Sequence, residues 1–353
     1  MTSKIFLAIC LLYSVAAYSQ TQISYTTTSN AQADSADFFL QKGLLEKENG
    51  RRLESLKNFE KAAKYDAGNK VITAELAAAY YDLRKHYLAM ETYKKLVSLG
   101  DVSALTYKRL LDLSFNMKQA DDVVLYAGKL KAADPSEKVS YYIGKTSYDQ
   151  ENYGEAIKHL TIAAKEQPAN AEIPYLIARS YADMMNYKMA IPQFKKAIEL
   201  DPDKNQWIYE LGLISYAMND NKSALHYILL AGEKGYKKTN DYVTNLAVAY
   251  INMGKIDESI ILLEDVLQKR PSDLSILDML AESYYAKGKY QLAIDTWDKI
   301  LTVDNKNASA LYMIGMSYQK KGEKEKGIQL CDKAIQMDPS LSSLKEKKSM
   351  MGM

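Results

Sequence analysis

The sequence predicts an all-α fold made of about nine stacked helix hairpins, and three observations carry that expectation. The first is a recurring segment: "AIKHLTIAAKEQP" (156–168), "AIPQFKKAIELDP" (190–202), "SIILLEDVLQKRP" (259–271) and "GIQLCDKAIQMDP" (327–339). Each begins with a small residue, places a bulky one four later and an apolar one three after that, and ends on proline. The second is spacing. Prolines at 135, 168, 202, 271 and 339 lie 33, 34, 69 and 68 residues apart, one or two units of about 34. The third is periodicity: apolar positions recur at intervals of three, four and seven, which places them on one helical face.

The elements follow in chain order. Residues 1–19, "MTSKIFLAICLLYSVAAYS", carry a basic flank at Lys4, an apolar stretch from Ile5 to Ala17 and small residues before a cut ahead of Gln20. This is the pattern of a secretory signal peptide, and it is short for a membrane span. Bulky Ile9 beside Cys10 argues against lipid attachment there. Residues 20–35, rich in Thr, Ser and Gln, read as a flexible leader. The repeat array is expected over 36–341, with units starting near residues 36, 70, 104, 137, 171, 205, 240, 274 and 308. Residues 342–353 read as a closing helix and tail.

Small residues recur at the eighth position of these units: Gly43, Ala77, Gly144, Ala178, Gly212, Ala247, Ala281 and Gly315. Twelve residues on come Ser55, Ala89, Ala156, Ala190, Ala224, Ser259, Ala293 and Gly327. Four further on, Phe59, Tyr93, Leu160, Phe194, Ile228, Leu263, Trp297 and Cys331 fill a bulky slot. The third unit exchanges volumes: Leu111 and Val123 occupy the small slots and Ala127 the bulky one. Lys42 and Glu46 make the first unit polar where its neighbours are apolar, as an end cap would be.

This pattern resembles the tetratricopeptide repeat over essentially all of 36–341. The resemblance implies a right-handed α-α superhelix with a concave groove lined by the first helix of each unit; with the export pattern of residues 1–19 and the scarcity of cysteine, an exported bacterial type of that family is expected. The resemblance also implies that positions two, five, nine, twelve and thirteen face the groove. Position twelve then carries Tyr81, Phe115, Tyr148, Tyr216 and Tyr285, and position five carries Tyr141, Tyr175, Tyr209 and Tyr312. Lys145 and Arg179 hold position nine of adjacent units. Tyrosine offers a large apolar body with a polar tip, and the chain has 28 Tyr against 6 Phe. At position twelve the rings serve equally well as filler between helices or as ligand contacts. Tyr80, Tyr181, Tyr250, Tyr284 and Tyr318, at position eleven, are expected in the core. The family's clamp for a C-terminal carboxylate uses Lys at five and Asn at nine; Lys108 is followed by Asp112, whose charge would repel that group.

Nothing points to catalysis. His86, His159 and His226 fall at different positions of their units, Cys331 sits in a packing slot, and no phosphate loop or paired-carboxylate arrangement stands out. No cofactor and no metal are expected. The net charge of +2, from 46 basic and 44 acidic residues without a basic stripe, argues against nucleic acid. Beyond the signal no segment is apolar enough to span a membrane, and after its removal Cys331 would stand without a disulfide partner. The expected role is a non-catalytic scaffold of a bacterial envelope, periplasmic or at the cell surface. It would hold a peptide segment of a partner protein in the groove of units three to six. Glycan binding or polysaccharide export is one alternative, and self-assembly is another.

Overall fold

A computed structural model describes residues 31–343. The expected signal peptide and most of the expected leader lie outside the described residues, as do residues 344–353 of the tail. Two compact units divide the chain at Gln167 and Pro168, and hairpins of the array expected over 36–341 fall in both. Pro168 begins the second unit and cannot donate a backbone hydrogen bond.

The first unit holds four hairpins. α1 (31–48) pairs with α2 (Arg52–Tyr65), α3 (Lys70–Asp82) with α4 (His86–Ser98), α5 (Ala104–Asn116) with α6 (Ala120–Ala133), and α7 (Ser140–Asp149) with α8 (Tyr153–Glu166). The second unit holds five. α9 (Glu172–Asp183) pairs with α10 (Tyr187–Leu200), α11 (Asn205–Ala217) with α12 (Asn221–Glu233), α13 (Asn240–Asn252) with α14 (Ile256–Lys269), α15 (Leu274–Ala286) with α16 (Tyr290–Val303), and α17 (Ala308–Lys321) with α18 (Lys324–Met337). A short 3-10 turn, Pro339–Leu341, follows. No strand occurs among the described residues. Helix α1 begins by residue 31, so residues 31–35, expected in the leader, are helical.

Every residue at the two small positions is buried. The reason is close backbone approach. A Cβ added to Gly144 would sit 2.7 Å from Leu160 Cγ and 3.0 Å from the Leu160 backbone nitrogen. One added to Gly212 would sit 2.9 Å from Ile228 Cγ1 and 3.1 Å from its backbone nitrogen. At Gly315 it would meet the Gly327 carbonyl oxygen at 2.7 Å. Backbone cannot step aside as a flexible side-chain tip can, so only small residues fit. In the first hairpin the Ser55 hydroxyl donates to the Gly43 carbonyl across the crossing at 2.9 Å. The bulky slots are buried too, from Phe59 through Trp297 to Cys331. In the third hairpin Leu111, Val123 and Ala127 are all buried, so the exchange of volumes fills the same space. The expected polar cap is only partial: Lys42 is exposed, but so are Phe38, Leu45 and Leu53.

A second constraint sits at the turn inside each hairpin. Position fifteen of every unit has a left-handed backbone: Gly50, Arg84, Lys118, Glu151, Met185, Asn219, Gly254, Gly288 and Gly322. The first helix closes there with a paired carbonyl cap. The Arg84 N–H donates to Tyr81 and the Lys85 N–H to Tyr80, both at 2.9 Å, and the same two bonds recur at the other turns. Four of these nine, Arg84, Lys118, Glu151 and Met185, have side chains that disfavour the left-handed region, while Asn219 tolerates it.

Met185 is 78% exposed at φ 58°, so its side chain adds strain without packing. Met185→Gly should raise stability by about 1 kcal/mol, the left-handed cost less the extra freedom of glycine in the unfolded chain. Met253→Gly is the control, because φ is −93° there. Thermal denaturation should show a higher midpoint for the first variant only.

Candidate interaction groove

In the first unit, α3, α5 and α7 contribute a common face. Asp112 holds it together. Its carboxylate accepts from the Tyr142 hydroxyl at 2.9 Å and from the Tyr81 hydroxyl at 3.4 Å, which ties three successive hairpins to one group. The Arg109 guanidinium lies 4.2 Å from the centre of the Tyr81 ring, a cation–π contact. Burial, then the Asp112 charge, pushes the Tyr142 hydroxyl well above the ordinary tyrosine range. Lys108 donates to both carboxylate oxygens of Glu137, at 2.7 and 3.0 Å. Lys108 and Asp112, the nearest match to a carboxylate clamp, are thus committed within the fold.

Phe115 sits 5.0 Å from Tyr142 and 6.2 Å from Tyr141, measured between ring centres. The Lys145 ammonium lies 5.9 Å from the Tyr141 ring centre, and Tyr148 lies beside Tyr153, which opens α8. Tyr81, Phe115, Tyr141, Lys145 and Tyr148 are all half-buried. Two cavities flank this face. One of about 670 Å³ opens at the start of α7, where Lys108, Leu111, Glu137, Lys138, Tyr141 and Tyr142 line it. The other, about 380 Å³, lies at the end of α7 against Phe115, Lys118, Lys145 and Asp149.

The second unit treats its predicted residues differently. The Tyr175 ring stacks on Trp207 at 4.5 Å, and its hydroxyl donates to Glu210 at 3.3 Å. Arg179 pairs with the same Glu210 oxygen at 3.2 Å. Tyr216 is 46% exposed, and Tyr285 is half-buried with its ring edge-on to Trp297. Tyr209 and Tyr312 depart from expectation, since they are 7% and 4% exposed. Tyr209 stacks on Tyr236 and its hydroxyl accepts from the Asn245 amide at 2.7 Å. Tyr312 is part of the apolar cluster that includes Ala308, Leu311 and Cys331. Both rings fill space between helices and present no face to a ligand.

The residues that brace the groove share a position that was not anticipated. Arg109, Tyr142 and Glu210 are all sixth in their units, one step round the helix from position five. Each reaches back to a groove residue of the preceding hairpin. The doublet Tyr141-Tyr142 hints at one of them, but position six as a whole is mixed, from Gln41 and Glu75 to Leu176, Asn245 and Met279, so no common signal marks it. At position eleven, Tyr80 and Tyr284 are buried as expected, and each donates to a glutamate twenty residues earlier, Glu60 and Glu264, whereas Tyr181, Tyr250 and Tyr318 are only half-buried. Among the described residues no group of three or more His, Cys, Asp or Glu is placed to hold a metal.

Burial is the main cause that pushes Tyr80, Tyr93 and Tyr175 from the ordinary 10.0 up to about 12. The folded chain therefore keeps these protons to higher pH than the unfolded chain does. Their contribution to stability is full below pH about 10 and is lost as pH rises toward about 12. Tyrosinate absorbance should rise late in the folded protein and fall into line with free tyrosine after denaturation.

Family models for the tetratricopeptide repeat match residues 244–301 and 308–341. A model described as anaphase-promoting complex, cyclosome, subunit 3 matches residues 116–197. Superkiller complex protein 3 of Mus musculus is 23% identical over 252 residues, 68% of this chain and 16% of that protein. The Hsp70-Hsp90 organizing protein of Triticum aestivum is 25% identical over 223 residues, 63% of this chain and 36% of that protein. The chain thus spans about a sixth and about a third of the lengths of these two relatives. Among solved structures, YrrB, described as a tetratricopeptide-repeat protein with an unusual peptide-binding site, is 21% identical with a TM-score of 0.46. That match covers 54% of this chain and 97% of YrrB. On the matched repeat models and the hairpin geometry together, the chain carries tetratricopeptide repeats.

Proposed function

We propose that the protein is a non-catalytic scaffold that holds an extended segment of a partner protein against the face of α5 and α7. The observation that carries this reading is the pair of cavities flanking Tyr141 and Lys145. Asp112 and Tyr142 brace the walls, so the face is shaped before a partner arrives and little ordering entropy is left to lose. Half-buried rings beside lysines suit a peptide, whose side chains enter the cavities while its backbone bonds polar tips. A sugar would need open ring faces, and in the second unit Tyr175 and Trp207 stack on each other instead. We place the scaffold in a bacterial envelope because residues 1–19 carry the export pattern. Similarity to an Hsp70-Hsp90 organizing protein supports protein partners in general, not a particular one.

A photo-crosslinking residue at position 141, introduced in native cells, tests the reading. The control is position 124 on α6, where Val124 is 55% exposed on a second helix. A discrete polypeptide adduct should form from position 141 and not from 124, in protein recovered from the envelope fraction and beginning at Gln20. Equal adducts from both positions, or none from 141, would contradict it.

A further inference from the structure

The lining of the two cavities also says what kind of segment they take, an inference that rests on the groove reading above. The cavity at the start of α7 is lined by Lys108 and Lys138 against Glu137 alone. The cavity at its end is lined by Lys118 and Lys145 against Asp149 alone. Each therefore carries one more positive than negative side chain, although the chain as a whole is close to neutral. Beyond the lining, Lys131 adds a positive charge while Asp134 and Asp112 add negative ones, so the excess at the first cavity belongs to its lining alone. Glu137 is held by Lys108, while Lys131 donates to the Glu137 backbone carbonyl at 2.8 Å and adds its own charge nearby. Asp134 lies close by too, held below the usual carboxylate range first by Ser136 and then by Lys108 and Lys131.

Each cavity also has an apolar wall: Leu111 and Leu130 in the first, the Phe115 ring in the second. A lysine excess beside an apolar wall suits a glutamate, whose methylenes can lie on the wall while the carboxylate meets the ammonium groups. The cavities lie at opposite ends of α7, about 14 Å apart at 1.5 Å per residue. An extended chain covers that in about four residues at about 3.3 Å each.

We propose that the segment held here is an acidic peptide with side-chain carboxylates about four residues apart, one for each cavity. This differs from capture of a C-terminal carboxylate, because the groups that would clamp one, Lys108 and position 112, are a lysine already paired and an acid. Lys118 and Lys138 are exposed and can be reversed in charge without disturbing the core.

The test uses the full mature chain and labelled twelve-residue peptides with blocked ends, read by fluorescence anisotropy at low salt. One peptide carries two glutamates four apart among leucine and serine, and its partner carries glutamines there. The glutamate peptide should bind at least about tenfold more tightly, and added salt should erode the difference. The Lys118→Glu, Lys138→Glu double variant, with unchanged helicity, should remove the preference. Equal binding of the two peptides, with both weakened by Tyr141→Ala, would overturn the acidic specificity and leave the groove reading standing. Failure of both peptides to bind would overturn the two together.

Discussion

Close approach of two helix backbones at a pair of small residues is the constraint on which the rest of this protein depends. At Gly212 and Gly315 a single added carbon would press on backbone atoms of the facing helix. That closeness lets Ile228 and Cys331 reach into the space between helices and bury themselves. The helices then meet over their whole apolar faces, where burial contributes about 25 cal/mol per Å². The third hairpin shows that volume, not a particular residue, is conserved within the chain. With Leu111 and Val123 at the crossing, the facing slot shrinks to Ala127, and all three are buried.

The groove inherits its geometry from this packing. Once the hairpins stack, positions five, nine and twelve of neighbouring first helices come within hydrogen-bond reach. The fold uses that reach for its own bracing: Asp112 gathers Tyr81 and Tyr142, and Glu210 gathers Tyr175 and Arg179. Each brace sits beside a half-buried ring, and burial would make loss of either partner costly by about 1–3 kcal/mol. Rigid walls of this kind are what a binding face needs if affinity is not to be spent on ordering it.

The hairpins were legible because their signals are local and repeated. The small-residue pairs and the boundary prolines placed the starts of the second to ninth units within three residues of the observed helices, though α1 is already helical at residue 31, and the volume exchange at Leu111 could be read without coordinates. The site was legible only in part. Helical spacing says which residues share a face, but not whether a neighbouring hairpin covers that face. Tyr209 and Tyr312 share position five with Tyr141, yet Tyr236 and Asn245 close over the first and the end of the chain's own apolar cluster over the second. Bracing from position six was invisible for the same reason, since it is made between units thirty or so residues apart. The left-handed turns went unread because five of the nine lack the glycine that would have marked them.

A volume swap copied from the third hairpin into the sixth tests the central claim most directly. Gly212→Leu alone should lower the denaturation midpoint, at a cost of roughly 1–3 kcal/mol for overpacking. Adding Ile228→Ala recreates the Leu111 and Ala127 arrangement and should recover much of the loss. A Gly212→Leu chain as stable as the wild type, or a double variant weaker than the sum of its two single changes, would contradict the account.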